Sequence, residues 1–501
     1  MFLSMQHLLF PLISFPIILL LLIPFKWLSS SSETKRNLPP SPPRLPIIGN
    51  LHQLGSVPHV SLRDLARKYG PVMMLHLGSV PMLVVTSAKA AQEILKTHDL
   101  VFSNRPKLKI PDQLNYGSKD IGFAPYGEYW RQIKSISVIH LLSRRRVNSF
   151  RQVRERETIR LIELIEKSGG LVVDLSEKLV KLTNNVISEV ALGRTSDDYK
   201  FRDLLVRFQT LLGVVSVGTY VPWLSWVDWL RGLDSRTNTL RRELNEFYDA
   251  IIEEHVAKRK LGDGGNDQDH DLVDILLDVQ KENASNFTFG KDTIKAIVSD
   301  VFSGGTDTTS SSIEWAMSEL IRHPHTMKRL QQEVTEVAKG KPMITEDDIE
   351  DMPYLKAVLK ETLRLHIPLP LLVPHEAMDD VNVMGYDLKK GTQVMINGWA
   401  IGRDPSIWED AEEFKPERFL NNNVDFKGFH YELLPFGSGR RGCPGIQFAV
   451  SINELVLANL VYKYDFALPN GQKVEELDMS DLVGLVVRKK EPLMVVATAR
   501  F

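Results

Sequence analysis

Ten residues near the end of the chain, Phe436-Gly437-Ser438-Gly439-Arg440-Arg441-Gly442-Cys443-Pro444-Gly445, hold the only cysteine among 501. No disulfide partner exists, so the thiol is either a structural cysteine in a glycine-rich turn or a metal ligand. Glycine admits close backbone approach and positive φ, so the run describes a tight loop with little side-chain bulk. Loop N–H groups and neighbouring guanidinium groups favour the thiolate over the thiol. Zinc would require three or four Cys/His ligands at short spacing, and no second cysteine is available. A single protein thiolate suffices for a haem iron, because the porphyrin fills the equatorial positions.

The remaining bounds are broad. With 43% hydrophobic and 25% charged residues the composition is that of a globular protein, long enough for about three average domains. A net charge of −2 gives no electrostatic ground for a nucleic-acid partner. One cysteine excludes an intramolecular disulfide framework and favours a reducing compartment.

Leu8 to Phe25 is an 18-residue run without a charge, ~27 Å as a helix and nearly a bilayer core. Lys26, Lys35 and Arg36 follow it, so the remaining chain is expected on the cytosolic side. A cleaved signal peptide would need a positive n-region and a small-residue cleavage site, and the run has neither. A polar spacer, Ser29–Ser32, and the stiff Pro39-Pro40-Ser41-Pro42-Pro43 follow. The division read from this is an anchor over 1–28, a hinge over 29–44 and one domain over 45–501.

Val72–Leu77 and Met82–Thr86 predict a hairpin around Gly78-Ser79-Val80-Pro81. Gln393–Ile396 and Leu493–Thr498 are further strand candidates, while Ala88–Lys96, Asn148–Ser168 and Thr239–Lys260 read as helices. The expected class is mainly α with small β-sheets. Leu211–Leu230 carries Trp223, Trp226 and Trp229, which fit either a core stripe or an interface. Gly262–Asp271 is a polar surface loop, and the sequons at Asn283 and Asn286 are idle on a cytosolic chain.

From Asp292 to Arg322, apolar residues at Ile294, Ile297, Val298 and Val301 resume at Ile313, Ala316, Met317 and Leu320, the spacing of one long buried helix. Gly304-Gly305-Thr306-Asp307-Thr308-Thr309 interrupts it. Two glycines cost ~1 kcal/mol each in a helix, and clustered hydroxyls compete for its backbone bonds, so a local opening is expected. Helical spacing puts Gly305 and Thr308 on the face of Val301.

Phe436, Gly439, Arg441, Cys443 and Gly445 together resemble the haem-binding signature of the cytochrome P450 monooxygenases. The interrupted helix resembles the family's oxygen-binding motif. Glu361 and Arg364, followed by Pro416-Glu417-Arg418-Phe419 and the cysteine loop, resemble its motif order. The hinge, Trp130-Arg131-Gln132-Ile133 and the Pro-Glu-Arg-Phe box are similar to plant microsomal members of the 71 clan. The resemblance implies a haem-thiolate monooxygenase domain behind a transmembrane helix at the endoplasmic reticulum, with haem b held by Cys443.

It further implies that Arg441, Trp130, Lys134 and His375 meet the haem propionates, with Phe436 in the haem loop. Lys134 stands where the family usually has arginine, and keeps the charge without the bidentate fork. Asp307 and Thr308 would relay protons to dioxygen, and Glu361, Arg364 and Arg418 would form a structural network. Electrons would come from NADPH through a separate flavoprotein reductase, to which Arg131, Lys134, Arg144, Arg145, Arg146 and Arg440 would offer a basic face. The substrate stretches carried over are 105–123, 208–221, Val301, Gly305, 369–373 and 482–486. They are mainly apolar and suit a lipophilic plant metabolite such as a terpenoid, indole alkaloid or coumarin. A haem-thiolate isomerase or dehydratase working without O2, and a non-catalytic haem-binding protein, are the alternatives; the intact Asp307-Thr308 pair speaks against both.

Overall fold

The computed structural model describes residues 36–195, 199–260, 270–282 and 289–501. The apolar run 8–25, most of the polar loop that begins at Gly262, and both sequons lie outside the described residues.

Helices dominate because most apolar residues recur at three- and four-residue spacing. Those that shape the site are α1 (Glu128–His140), α2 (Leu175–Leu192), α3 (Lys291–Gly305), α4 (Asp307–Arg322), α5 (Pro353–Leu365) and α6 (Ile446–Lys463). The main core joins Val186 and Ile187 of α2, Ile297 and Phe302 of α3, Ile313 and Met317 of α4, and Ile452 and Leu455 of α6. Each such burial contributes ~1.5–3 kcal/mol. The ends of α2 are fixed locally: Asp174 accepts from the Glu177 N–H at 2.9 Å, and Gly193 closes the helix at φ 64°.

One small sheet matters for the site. Its strands are β1 (Val72–Leu77), β2 (Val80–Val85), β3 (His375–Glu376) and β4 (Gln393–Ile396), in spatial order β1-β2-β4-β3. The hairpin is as expected, but its turn is the two residues Gly78-Ser79. Pro81 lies inside β2 opposite His76, where only β1 flanks it, because pairing with β4 begins at Met82. Glu376 of β3 accepts a further segment: its N–H donates to the Asn104 carbonyl at 3.0 Å, which draws 102–105 alongside.

The proline run is docked rather than free. The Met74 N–H donates to the Pro40 carbonyl at 2.8 Å, and Asn37 bonds Asp387 and Gly385, so the packed body begins by Asn37. The three tryptophans are outside the core, with Trp223, Trp226 and Trp229 exposed by 61%, 55% and 69%. Among the described residues no single helix is long and apolar enough to cross a membrane. Glu361 lies fully buried, taking Arg364 Nε at 2.7 Å, Arg418 Nε at 3.0 Å and the Lys415 N–H at 2.7 Å. This three-residue network is the expected one, and it pins α5 to the loop leading to Cys443.

Candidate haem site

The cysteine loop folds on its own backbone. The Cys443 N–H donates to the Phe436 carbonyl at 2.9 Å, Gly437 and Gly439 take positive φ (67° and 69°), and the Gly445 N–H donates to Cys443 Sγ at 3.3 Å. Phe436 rests edge-on against Phe426, 5.6 Å between centroids. The cysteine is exposed, with the bulk of the protein packed behind its loop. Burial pushes its thiol up, while the Gly445 N–H and the Lys134 charge pull the other way. Gly439 is obligatory: a Cβ there would stand 2.5 Å from Asp99 Oδ1 and 2.6 Å from the Leu95 carbonyl.

Beside the loop lies a group of cations with few anions. Arg441 donates to the carbonyls of Ser103 (2.6 Å), Ile121 (3.2 Å) and Ala124 (2.5 Å), with its guanidinium carbon 4.1 Å from the Trp130 ring centroid. Trp130 Nε1 donates to the same Ile121 carbonyl at 3.0 Å. Lys134, one turn along α1, donates to the Arg440 carbonyl and sits over the Trp130 ring at 5.0 Å. In place of a propionate fork, lysine supplies a brace to the cysteine loop.

Sequence reasoning gave Arg105 only as the edge of a pocket. It is buried in this cluster, donating to Gly122 (3.1 Å), Val373 (2.7 Å) and Pro374 (2.8 Å), all backbone carbonyls. Burial holds its pKa well below the usual value, and Arg441's is pushed down to about 10 by the same cause. His375 Nδ1 stands 2.7 Å from the Phe102 carbonyl and therefore carries its hydrogen there. Burial, then Arg105, hold His375 well below its ordinary pKa, so it is neutral with Nε2 as an acceptor. It becomes a donor at Nε2 only when carboxylates beside it favour a second proton.

The donor set fits haem. A single accessible sulfur receives a backbone N–H, and buried guanidinium groups bonded only to carbonyls are ready for the two propionates. Haem, where bound, supplies the iron at which dioxygen is activated; Cys443 would hold it, with Arg441, Arg105, Lys134, Trp130 and His375 beside its carboxylates.

The interrupted helix is found as expected, divided at Thr306 (φ −84°, ψ −67°). Thr308 Oγ1 donates to the Gly304 carbonyl at 2.5 Å, and a Cβ on Gly304 would meet open space. Gly305 faces inward: a Cβ there would lie 2.5 Å from Ile187 Cδ1, so Gly305 seats α3 against α2, and Gly304 is the glycine on the open face. Asp307 is buried and paired with Arg488, which also reaches Gln209 Oε1 at 3.3 Å. Burial raises the Asp307 pKa and Arg488 opposes the rise. The Arg488 partner is 181 residues away and has no sequence signal.

The carried-over substrate stretches meet in pairs. Arg105 ties 105–123 to 369–373, and the Gly213 backbone packs against Leu485 N, too close for a side chain. Of the proposed basic face, Arg131, Arg144 and Arg145 are exposed, whereas Arg440 is paired with Asp99 and Arg146 donates to the His270 carbonyl.

A mainly helical body with one accessible cysteine in a glycine loop, a cationic cluster beside it and a broken helix fits a haem-thiolate protein. Residues 39–496 match the family described as Cytochrome P450, and the chain belongs to that family of monooxygenases. It is 54% identical to a 3-beta-hydroxylase of Tanacetum parthenium across 100% of both chains. It is also 52% identical to Cytochrome P450 71A4 of Solanum melongena, covering 96% of this chain and 97% of the relative. Norfluorocurarine oxidase of Strychnos sp is 49% identical over 96% of each. A zebra fish cytochrome P450 solved with progesterone superposes with a TM-score of 0.76 at 26% identity, covering 88% of this chain and 99% of that one.

Proposed function

We propose that the protein inserts one oxygen atom from O2 into a lipophilic plant specialised metabolite of terpenoid, indole alkaloid or coumarin type, with electrons from NADPH through a flavoprotein reductase. The observation that carries this reading is the Gly304–Thr308 hydrogen bond beside the buried Asp307–Arg488 pair. An isomerase or a binding protein has no use for such a device.

The chain's own residues divide the work. Thr308 holds a hydroxyl proton at the open turn of the helix, where it can pass it on and be resupplied. Asp307, its charge balanced by Arg488, holds the adjoining proton acceptor in a buried setting, and Arg488 must release it for a proton to move. Gly304 leaves room beside the site, where a side chain would meet only open space. The plant hydroxylase and oxidase relatives, and the progesterone structure, support a lipophilic substrate and an oxidative outcome.

The membrane reading is part of the proposal. The apolar run 8–25 would anchor the chain once in the endoplasmic reticulum with the body on the cytosolic side. Trp223, Trp226 and Trp229 suit the lipid interface, being exposed, amphipathic and close in sequence. Among the described residues Arg131, Arg144 and Arg145 form no ion pair, which leaves them to an acidic reductase face.

The deciding experiment incubates microsomes holding the protein and a plant reductase with a panel of such metabolites, with and without NADPH. A product one oxygen heavier, formed only with NADPH, is expected. An isomeric or dehydrated product formed without NADPH would replace this reading with the isomerase one.

A further inference from the structure

Three aromatic residues lie close together in the segment that leads to the cysteine loop, and they differ in where they point. Phe426 and Tyr431 are buried, the first edge-on to Phe436 and the second in the cluster that holds Leu434. Phe429, between them, is 82% exposed, more than any other large apolar side chain among the described residues. A lone apolar side chain on a surface is ordinary; this one is set apart by how it is held.

The segment cannot simply turn the ring inward. Gly428, at φ 86°, lies so close to the cysteine loop that a Cβ would stand 3.2 Å from the Gly437 carbonyl oxygen and 3.3 Å from Ser438 Cα. Its own carbonyl accepts Ser438 Oγ at 2.5 Å. With Gly428 pressed inward and both aromatic neighbours buried, the Phe429 ring stands outward beside the loop that carries Cys443.

A second neighbour of that loop is α1, whose Lys134 donates to the Arg440 carbonyl. Its outward row, Arg131, Ser135 and Ile139 at four-residue spacing, is exposed, Ile139 by 60%. Apolar side chains therefore stand on two elements that each touch the cysteine loop.

The surrounding charges set the partner. Asp425 lies 3.2 Å from Lys427 Nζ, and Asp99 holds Arg440, so these acids are answered within the chain. Arg131, Arg144 and Arg145 form no ion pair among the described residues. They outnumber the carboxylates left beside α1 and the Phe429 segment, Glu128, and Glu432 with His430 at 3.7 Å. An apolar centre within a charged rim is the layout of a protein interface, and a positive rim favours an acidic partner.

From the outward Phe429 ring held against the cysteine loop, and resting on the reductase reading above, we infer that Phe429 is the apolar contact on which the acidic flavoprotein reductase docks. The arginines steer the partner in, and the ring, buried between the two proteins, holds it there.

The test uses the full-length haem-loaded protein, one copy per lipid nanodisc, and the soluble FMN domain of a plant flavoprotein reductase. Affinity is read by calorimetry at ~50 and ~300 mM salt. Phe429→Ser should weaken binding ~10-fold or more at both salt levels, and Phe429→Leu, which keeps an apolar side chain, should recover most of the loss. Arg144→Gln with Arg145→Gln should weaken binding chiefly at the lower salt. All variants should keep the ferrous carbon monoxide spectrum of the parent. Parent-like affinity in Phe429→Ser, or a loss that the higher salt erases, would overturn the Phe429 contact and leave the reductase reading standing. A parent with no affinity for the FMN domain would remove both. If Phe429→Ser left that affinity unchanged but turned a sedimenting dimer of the solubilised protein into monomer, the ring would belong to a contact with a second copy of this chain instead.

Discussion

Asp99 grips Arg440 twice, taking its backbone N–H on Oδ1 at 3.0 Å and facing its Nε with Oδ2 at 3.0 Å. Three residues later in the chain comes the cysteine. The exposed ion pair is worth little, but the carboxylate-to-backbone bond fixes the loop and is worth ~1–3 kcal/mol.

Asp99→Ala should therefore loosen the cysteine loop, increasing the fraction of ferrous carbon monoxide complex that lacks the thiolate-type band. Asp99→Asn keeps an oxygen for the backbone N–H and should lose less. Equal loss in both variants would assign the effect to the ion pair.

Cys443→Ser exchanges the only thiolate for a hydroxyl, a weaker donor to iron. The red-shifted carbon monoxide band should vanish together with turnover. With one cysteine in the chain, an unchanged spectrum would leave no thiolate assignment standing.

Thr308→Ala removes the hydroxyl bonded to Gly304 while the surrounding helix stays packed. Haem binding should persist, and product per NADPH should fall ~10²-fold or less, the range of one acid–base group. Peroxide should rise in its place. Thr308→Ser, which keeps the hydroxyl, should restore most of the coupling, measured as NADPH, peroxide and product side by side.

Two carboxyls, the fully buried Asp120 and the half-buried Asp300 of α3, hold the 121–123 segment against that helix. Asp300 Oδ2 accepts the Ile121 N–H at 2.5 Å, and Asp120 Oδ2 accepts Phe123 N–H at 2.9 Å and Asn115 Nδ2 at 3.0 Å. Burial pushes Asp120 up to about 7, and burial followed by the Asp120 charge raises Asp300 well above its usual range. The folded protein thus keeps protons that the unfolded chain loses above pH ~4, and stability must fall as pH rises from there to ~7. Asp300→Asn should flatten the slope in denaturant melts across this range; an unchanged slope would reject a shared buried proton.

Deleting Met1–Leu28 should release the protein from membranes with haem uptake intact, read by fractionation and the carbon monoxide spectrum. A released chain unable to take up haem would make this stretch part of the fold.

The elements legible in the sequence are those whose cause is local. The cysteine loop follows from glycine spacing, the split of α3 and α4 from Gly304-Gly305 among hydroxyls, and the β1–β2 hairpin from alternating β-branched runs around Gly78. What escaped depends on distant partners. Arg105 bonds carbonyls 268 and 269 residues away, and Asp99 meets a backbone N–H 341 residues on. A carbonyl has no residue identity, so no motif announces such a contact. Helical spacing sets Gly305 on the face of Val301; only the approach of Ile187 shows why a glycine is needed there. The tryptophan spacing fits core and interface equally, and the exposure of Trp223, Trp226 and Trp229 decides against the core.

The Asp307–Arg488 pair also sets an order of events during synthesis. At 5–20 residues per second, the 181 residues between them take roughly ten to forty seconds to emerge. Throughout that interval the acid beside Thr308 lacks its Arg488 counter-charge, so the junction of α3 and α4 cannot reach its final packing until Arg488 emerges. Ribosome-held chains ending before Arg488 should remain open to protease at Thr306, and closure of that site would mark the moment at which the divided helix locks.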